Sequence, residues 1–520
     1  MPTEPVLIAG KWRNADTTGV FYSENPSTCE QLPEEYPISS WVDCEAALDA
    51  ASKAFKELRS IPAGRIADFL ERYATLIEER SDALVELAHQ ETGLPKSPRL
   101  ADVELPRTTG QLRLAAAAAR TGNWRQPIID SANNIRSCHG AIGPVVVFGP
   151  NNFPFAFGSI SGGDFAAAIA AGNPVIAKAN SSHPGTTKLF AEAAHTAGEE
   201  TGMPSGMVQL IYRTSHPVGE QLVTDSRTGA TGYTGAQNAG LKLKKAADDA
   251  GKPIYLELSS LNPVVLLPSV LEEKSNALAE EFTGSCLMGA GQFCTNPGMI
   301  IVIESAATNT FIEAVATQFQ AATPGTLLSA SVEKSLHKSH EILAKAGAEL
   351  LCGSGRGNGT GYNVANTLLR ISGSQFLRDP KTMQTEAFGN SSLIVVAESV
   401  DEAESVIAAL EGNLTGCIYS SERGDDDEAY DQLAPILRQK TGRFLNDKMP
   451  TGVAVSPAMN HGGPYPATGH PSFTAVGIPG ALLRFSMLQS YDNVRPNRLP
   501  EILMDEYHGP TQRLIDGVWK

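Results

Sequence analysis

The 520-residue sequence lacks the cysteine spacings of a disulfide scaffold or a zinc site. Its seven cysteines are odd in number and scattered, with no CxxC or HxxxH pair. It also lacks a basic N-terminal segment followed by an apolar core, and any uncharged apolar run long enough to cross a bilayer. We therefore expect reduced thiols, no bound metal, no membrane association and a cytoplasmic location.

An excess of positive charge is also missing. The formal net charge is −16, which argues against nucleic acid or an anionic membrane surface as the main partner. An apolar content of 42% with both charge signs interspersed is typical of a globular protein of two or three domains. The acidic run GDDDEAYD (424–431) is interpreted as a solvated helix face or loop.

From residue 144 onward, short apolar segments alternate with helical patterns. Strands are predicted at PVVVFGP, PVIAK, VQLIY, GATGYTG and PIYLEL, within residues 144–258, and the first helix is predicted over 155–172. Such alternation implies parallel strands with right-handed crossovers, that is, a doubly wound α/β domain. Its ligands should bind beyond the carboxyl ends of the strands. No GxGxxG follows the first strand, and GSGRGNG (353–359) is interpreted as a surface loop.

Four residues near these strand ends, or in the next unit of the chain, could carry chemistry. Cys294 in GQFCTNPG stands among glycines and a proline, which favours an exposed loop thiol, although free cysteines are mostly inert. Glu257 closes an apolar strand, where a carboxylate is costly unless it is paired, functional or turned to water. Asn152 could cap a helix or donate to a substrate oxygen, and Lys178 could snorkel to solvent.

Taken together, these segments resemble the aldehyde dehydrogenase superfamily. The stretches that carry the resemblance follow the order of that family over about residues 140–470: FGPNNFPF, AGNPVIAKANSSHP, GYTGA, LELSS, GQFCTNPG and TEAFGN. The resemblance implies an aldehyde-dehydrogenase-like α/β fold, with a Rossmann-type cofactor domain, an α/β catalytic domain and a small β oligomerisation element.

The resemblance also implies the roles of the catalytic residues. Cys294 would attack the aldehyde carbon, and the Asn152 side chain with the Cys294 backbone N–H would hold the resulting alkoxide. Glu257 would activate the water that hydrolyses the thioester. The presence of Glu257 favours release of a free carboxylic acid over transfer to a thiol such as coenzyme A.

The cofactor side of the site is implied in the same way. Lys178 and Glu386 resemble the residues that bind the two ribose groups of a nicotinamide dinucleotide. Phe388 resembles the residue beside the nicotinamide, and Gly235 belongs to the turn on the phosphate side. All of these are carried over from the family motifs.

The choice between the two dinucleotides depends on the residue three positions after Lys178. Relatives that prefer NAD commonly have a glutamate there, whereas this chain has Ser181. A serine can donate to a 2′-phosphate that a carboxylate would repel, and Arg213 at the end of the next strand could add charge or simply face solvent. The sequence therefore favours NADP, with NAD as an alternative.

Three stretches, CTNPG, LNPVV and HGGPYPATG, depart from the commonest family pattern. They resemble an NADP-linked subgroup that includes α-ketoglutaric semialdehyde (2,5-dioxovalerate) dehydrogenases and a long-chain fatty aldehyde dehydrogenase. The dioxo acid is the favoured substrate and the fatty aldehyde the alternative. A substrate carboxylate would want an arginine that the sequence does not identify. The candidate pocket residues are Phe155 and Gly158 on the predicted helix, Phe293, Ser456 and Pro457.

Two further interpretations are weighed against this one. A non-catalytic binding protein of the same fold conflicts with the intact set of Cys294, Glu257, Asn152 and Lys178. A cysteine hydrolase would need a histidine to activate its thiol. His461 and His470 could nominally serve, but neither occurs in a recognisable partner motif.

The resemblance finally divides the chain. A dinucleotide-binding domain is expected over 1–120 and 141–259, and a catalytic domain over 260–460. An oligomerisation element is expected from 121–140 and 461–495, followed by a C-terminal tail over 496–520. Dimers and tetramers are both expected in the family, so a homodimer or homotetramer is predicted.

Overall fold

The computed structural model describes residues 3–520, and its N-terminal part combines a small antiparallel sheet with a layer of long helices. A π-helical segment (Lys96–Glu104) leads into the last of these helices. The elements up to residue 141 are β1 (Val6–Ile8), β2 (Lys11–Arg13), β3 (Thr17–Asn25), β4 (Glu30–Ser39), α1 (Trp41–Leu58), α2 (Ala63–Glu79), α3 (Ser81–Thr92), α4 (Leu105–Thr121), β5 (Ile128–Asp130) and β6 (Ile135–Ala141).

The predicted alternation of strands and helices follows. Its elements are β7 (Val145–Phe148), α5 (Gly163–Ala170), β8 (Val175–Lys178), α6 (Pro184–Thr201), β9 (Val208–Ile211), β10 (Arg213–Thr214), α7 (His216–Thr224), β11 (Ala230–Thr234), α8 (Gln237–Asp249) and β12 (Ile254–Glu257). The first large sheet has the order β12-β11-β7-β8-β9-β1-β2, and its strands from β12 to β9 are parallel. The chain therefore starts at β7 in the middle and winds outward in both directions, which confirms the predicted doubly wound α/β fold.

A second large sheet is built from the following half of the chain. Its elements and those after it are β13 (Val264–Leu266), α9 (Pro268–Leu287), β14 (Met299–Ile303), α10 (Thr308–Ala321), α11 (Ala330–Lys345), β15 (Glu349–Cys352), β16 (Thr367–Ser372), α12 (Gly373–Phe376), α13 (Pro380–Met383), β17 (Ser391–Ala397), α14 (Val400–Ala408), β18 (Asn413–Tyr419), α15 (Asp427–Lys440), β19 (Thr441–Asn446), β20 (Ser486–Asp492), β21 (Leu514–Ile515) and β22 (Val518–Trp519). The order β15-β16-β17-β14-β13-β18-β19 is parallel except for β15. Each large sheet has its own buried apolar core, and none of the described helices is long and apolar enough to cross a membrane.

A third sheet, in the order β20-β6-β5-β21-β22, projects from these two units. Residues 496–520, expected to be a tail, contribute its last two strands. Among the described strands β20 pairs with β6 alone, so its other edge is open. Met487 and Leu488 on this strand are 48% and 60% exposed, which is unusual for large apolar side chains on an open edge.

The helix predicted over 155–172 is wrong in its first half, because α5 begins only at Gly163. Residues 151–162 form a compact series of turns instead. A Cβ on Gly158 would lie 2.6 Å from the carbonyl oxygen of Pro154, and one on Gly162 would lie 2.6 Å from the Phe157 backbone. The folded-back chain at these small residues leaves no room for a regular helix.

The acidic run at 424–431 is only partly solvated as predicted, because Asp426 is buried. Its carboxylate accepts hydrogen bonds from the backbone N–H groups of Ser269 and Val270, at 3.0 and 2.9 Å, and from Ser421 N–H at 2.9 Å. The first two are unpaired donors in the first turn of α9. Asp426 therefore caps a helix that is distant in sequence, and its charge complements the helix dipole.

We expect Asp426→Ala to destabilise the catalytic unit, because it leaves the buried N–H groups of Val270 and Ser421 without an acceptor, at about 1–3 kcal/mol each, and also frees the half-buried N–H of Ser269. Calorimetry should show a lower unfolding temperature, and hydrogen exchange should accelerate at Ser269 and Val270. The matched control is Asp425→Ala, which removes a neighbouring exposed carboxylate. Equal stability of the two variants would contradict the capping role.

Candidate functional site

A cleft of about 980 Å³ opens at the carboxyl ends of the parallel strands of the first sheet. It runs from the turn after β8 to the loop that carries Cys294, and it also receives residues from the second unit. All nine residues predicted for catalysis and cofactor binding line this cleft: Asn152, Lys178, Ser181, Arg213, Gly235, Glu257, Cys294, Glu386 and Phe388.

The loop before Cys294 has an unusual backbone. Gly289, Ala290 and Gly291 have φ angles of 57°, 57° and 67°, in the left-handed region that favours glycine. A Cβ on Gly291 would lie 2.0 Å from the carbonyl oxygen of Gly389, so only glycine fits this approach. The conformation ends the α9 region and turns the nucleophile loop into the cleft, as the glycines in the sequence predicted.

The side chain of Asn262 holds this loop in place through hydrogen bonds. Its Nδ2 donates to the carbonyl oxygens of Cys294 and Asn296 at 2.9 and 2.8 Å. The side chain of Asn413, at the start of β18, accepts from the backbone N–H groups of Leu261 and Asn262. Asn262 has a φ of 51° and is fully buried. Asn262, in the stretch LNPVV, thus supplies an amide that holds the loop of Cys294.

His461 is the functional residue that the sequence reasoning did not assign. Its Nε2 lies 3.4 Å from Cys294 Sγ and 2.8 Å from Glu257 Oε1. The sulfur, imidazole nitrogen and carboxylate oxygen of Cys294, His461 and Glu257 all lie within 4.8 Å of one another. His461 is the first residue of the stretch HGGPYPATG, which departs from the commonest family pattern. That departure was the signal in the sequence that could have pointed to His461. His470, the other nominal partner, instead packs its ring 5.0 Å from Tyr255.

The single nitrogen Nε2 lies within hydrogen-bonding distance of both the thiol and the carboxylate, so it can accept the proton of Cys294 only in the tautomer in which it carries none. Burial and the negative charge of Glu257 raise the pKa of the Cys294 thiol well above its usual range, partly offset by the positive charges of Arg107 and Arg443. The resting thiol is therefore protonated at neutral pH and needs a base. The same three donors also have the types that a soft divalent cation prefers, although no metal was expected from the sequence.

Asn152 is held by residues that the sequence did not reveal. Its Nδ2 donates to the Gln292 carbonyl at 3.0 Å, two residues before the nucleophile. The backbone carbonyl of Asn152 accepts a hydrogen bond from Arg99, and Arg99 forms a 2.6 Å ion pair with the buried Glu104. The second oxygen of Glu104 accepts from the backbone N–H groups of Phe155 and Ala156. A buried ion pair therefore fixes the turns that carry Asn152.

The structure places the predicted pocket residues in different environments. The Phe155 ring is completely buried and packs against Phe190, at 5.2 Å between ring centroids. Gly158 lies in a turn where Ser161 would meet any added Cβ at 2.5 Å. The Phe155 ring therefore lies in the core rather than in the cleft, and Gly158 contributes no side chain, because residues 151–162 form turns instead of the predicted helix. Phe293 packs against Phe153, with ring centroids 5.4 Å apart.

Ser456 and Pro457 lie in the long loop after β19. Ser456 is half-buried and Pro457 is exposed. Their neighbours Val453, Val455 and Met459 pack against the aromatic residues beside the nucleophile. The loop therefore borders the predicted substrate pocket through Val453, Val455 and Met459. The roles of Ser456 and Pro457 in binding substrate stay predictions.

The cofactor side of the cleft holds half-buried side chains of both charge signs. Burial, together with the nearby Arg213, lowers the pKa of Lys178 to about 8. Burial raises the pKa of Glu386, whose Oε1 is 3.5 Å from the backbone nitrogen of Ser260. A half-buried ammonium and a half-buried carboxylate that face the cleft fit the hydroxyl groups of a dinucleotide.

The comparison with protein families decides the identity of this arrangement. The model of the family described as "Aldehyde dehydrogenase family" matches residues 12–447. The chain belongs to the aldehyde dehydrogenase family. This aldehyde dehydrogenase is therefore an oxidoreductase that uses a nicotinamide cofactor, and the resemblance inferred from its motifs is confirmed.

Curated relatives match this aldehyde dehydrogenase along nearly its whole length. Alpha-ketoglutaric semialdehyde dehydrogenase 2 of Azospirillum brasilense is 37% identical, covering 98% of both chains. Alpha-ketoglutaric semialdehyde dehydrogenase of Acinetobacter baylyi is 36% identical, covering 95% of this chain and 96% of the relative. Identity at this level over full length extends to both large domains and the β element.

Solved structures share the fold at lower identity. Aldehyde dehydrogenase C of Pseudomonas syringae, complexed with NAD+ and octanal, has a TM-score of 0.80 at 19% identity, covering 96% of this chain and 98% of that one. The NAD+ complex of an aldehyde dehydrogenase from Bacillus cereus has a TM-score of 0.79 at 20% identity, covering 94% and 96%. These likenesses confirm the predicted fold.

We expect His461→Asn to slow thiolate formation, because the proton of the buried thiol loses its nearest basic acceptor. Alkylation of Cys294 by iodoacetamide should then require a higher pH, since removing a group that can become positive further raises the thiol pKa. The rapid formation of reduced cofactor in the first turnover should slow by about 10²-fold or more.

The control for this variant is His470→Asn, which removes a ring that packs on Tyr255. It should leave the pH profile of alkylation unchanged. If His461→Asn is alkylated with the wild-type pH profile, His461 does not receive the thiol proton.

Proposed function

We propose that this enzyme oxidises α-ketoglutaric semialdehyde to α-ketoglutarate. The observation that carries the proposal is the 36–37% identity, over nearly full length, to two relatives that bear that activity in their names. The names favour the dioxo acid over the long-chain fatty aldehyde. A non-catalytic role is disfavoured because Cys294, Glu257 and Asn152 face one cleft.

In the proposed reaction, Cys294 passes its proton to His461 Nε2, in the tautomer in which that nitrogen carries none, and attacks the aldehyde carbon. The resulting Nε2–H then donates to Glu257 Oε1. The Asn152 amide, which now donates to the Gln292 carbonyl, turns to the substrate oxygen together with the Cys294 backbone N–H. A nicotinamide cofactor, when bound, would accept the hydride that leaves the substrate carbon. The substrate then remains attached to Cys294 as a thioester.

Glu257 and His461 next act on the water that cleaves the thioester. Glu257 Oε1 is engaged by His461, whereas the buried Oε2 has no partner among the described residues. Oε2 is thus free to accept a hydrogen bond from water and to take its proton. Return of a proton to the sulfur regenerates the thiol. This hydrolysis yields the free acid.

NADP is the proposed cofactor, with NAD as an alternative. Lys178 and Glu386 would bind the ribose hydroxyls, while Phe388 and Gly235 would border the nicotinamide and phosphate portions. Ser181 and Arg213 lie at the carboxyl ends of adjacent strands and line the same cleft. Arg213 is exposed and makes no ion pair within residues 3–520, so its charge is available for a 2′-phosphate.

The proposed assembly is a homodimer or homotetramer formed through the third sheet. Its support is the open edge of β20 with the exposed Met487 and Leu488. A cytoplasmic location is proposed because all seven cysteines are free. The net charge of −16 supports the absence of nucleic acid and membranes among its partners. The division into domains at 259/260 and 460/461 remains a proposal with these assignments.

The substrate proposal predicts a marked preference in steady-state kinetics. With NADP, kcat/KM for α-ketoglutaric semialdehyde should exceed that for hexadecanal by about 10²-fold or more, because a carboxylate provides charge-assisted hydrogen bonds that an alkyl chain lacks. Both aldehydes are assayed at equal low concentrations by NADPH absorbance. The reverse preference would move the enzyme to lipid aldehydes.

The cofactor proposal predicts a change in nucleotide binding. Ser181→Glu should weaken NADPH binding by at least about 10-fold while sparing NADH, because a carboxylate repels the 2′-phosphate. Arg213→Gln should act in the same direction, and Lys245→Gln, which removes an exposed lysine of α8, should have no effect. Kd is measured by nucleotide fluorescence. Equal effects on NADPH and NADH would contradict the assignment.

A further inference from the structure

Three phenylalanines beside the nucleophile form what we call the aromatic cluster: Phe153, Phe157 and Phe293. Phe293 is adjacent to Cys294 in sequence, and the ring of Phe157 lies 5.6 Å from that of His461. The cluster therefore reaches the reacting groups directly. The loop after β19 covers it with Val453, Val455 and Met459.

Two arginines stand over this cluster, from the π-helical segment and from α4. The guanidinium carbon of Arg99 lies 4.2 Å from the Phe153 ring centroid, and that of Arg107 lies 5.1 Å from the Phe157 ring centroid. Contact with aromatic faces stabilises each cation modestly. It uses none of the N–H donors in the plane of the guanidinium.

The two arginines differ in what satisfies those donors. Arg99 is ion-paired with Glu104 and donates to the Asn152 carbonyl. Arg107 has one hydrogen bond, from Nη1 to the Val453 carbonyl at 2.7 Å. Its Nε and Nη2 are buried and have no partner. Within residues 3–520 no carboxylate lies within ion-pairing distance of Arg107.

The free atoms of Arg107 have a specific arrangement. Nε and Nη2 occupy the same edge of the planar guanidinium, and their N–H bonds point in parallel. This is the edge that binds both oxygens of a carboxylate at once. A buried cation with two idle donors is costly by itself. A bound anion would remove that cost and add two charge-assisted hydrogen bonds.

Other buried charges place this fork within the field of the reacting groups. Burial lowers the pKa of Arg107, and the negative charges at Cys294, Glu104 and Glu257 oppose that effect. Arg443 also acts on Cys294, but it donates from Nη1 and Nη2 to the carbonyls of Gly452 and Pro450. Nη2 of Arg443 is thus already used, so its Nε and Nη2 cannot both bind a carboxylate, whereas the same two atoms of Arg107 have no partner.

We propose that Arg107 binds the carboxylate of the substrate through Nε and Nη2, and so selects aldehydes that carry an acid group at the far end of a short chain. The inference rests on the proposed function and deepens it, because it names the residue that distinguishes the dioxo acid from an uncharged aldehyde. A fatty aldehyde entering the aromatic cluster would leave the buried fork unpaired. Arg107 is a specificity-determining residue.

Arg107 also supports the loop through Val453, so the test must separate binding from general damage. Arg107→Met keeps most of the side-chain bulk and removes every donor. We expect its KM for α-ketoglutaric semialdehyde to rise by at least about 30-fold. Its kcat/KM for pentanal, which has the same number of carbons and no carboxylate, should stay within about three-fold of wild type.

Two further variants sharpen the result. Arg107→Lys keeps the charge and loses the side-on fork, so its KM for the dioxo acid should lie between those of wild type and Arg107→Met. Arg113→Gln removes an exposed arginine of the same helix that pairs with Glu78. It should leave the ratio of the two kcat/KM values unchanged.

The outcomes distinguish this inference from the proposed function. A wild-type enzyme that oxidises pentanal and not the dioxo acid would overturn the proposed substrate itself. A wild-type enzyme that prefers the dioxo acid, with equal losses for both aldehydes in Arg107→Met or no loss for either, would overturn the carboxylate fork alone.

A measurement on the wild-type enzyme covers the case in which Arg107→Met does not fold. 2-Oxopentanoate keeps the keto-acid end of the substrate and has an unreactive methyl group at the other end. It should inhibit competitively against the aldehyde with a Ki at least about 10-fold lower than that of its amide. Equal inhibition by acid and amide would contradict a charge-specific site.

Discussion

A single buried amide, that of Asn262, joins the nucleophile loop to the framework of both large sheets. Asn262 lies between β12, which ends in Glu257, and β13, which begins the second sheet, and it donates to the carbonyls of Cys294 and Asn296. Asn413 holds its backbone from β18. The placement of a thiol within reach of an imidazole requires such fixation, because a loop is otherwise the most mobile part of a domain.

The second constraint is the concentration of charge in a dry site. Glu257, His461 and Arg107 are largely removed from water, and each would be costly without a neighbour of complementary charge or proton affinity. Burial and the negative charge of Glu257 raise the pKa of Cys294 and keep the resting thiol protonated and unreactive toward the small electrophiles of a cell. Reactivity then depends on a proton acceptor and a substrate being present at once, which is a common property of buried nucleophiles.

The sequence predicted the fold and the cleft because both depend on local signals: short apolar strands, glycine-rich turns and motifs in family order. All the residues chosen for catalysis and for the cofactor do line one cleft. The sequence could not reveal His461, Asp426 or Arg107, since each acts on a partner far away in the chain. It predicted a helix at Phe155 because a run of small and aromatic residues fits the helical pattern, whereas the close approach of the backbone at Gly158 excludes a helix there.

The contact between Gly291 and Gly389 ties the two functions of the cleft together. Gly389 directly follows Phe388 on the cofactor side of the cleft. Gly291 lies three residues before Cys294, at the start of the loop that carries it. Because the two backbones touch with no side chain between them, neither segment can shift without displacing the other. The contact therefore fixes the distance between Cys294 and the cofactor side of the cleft.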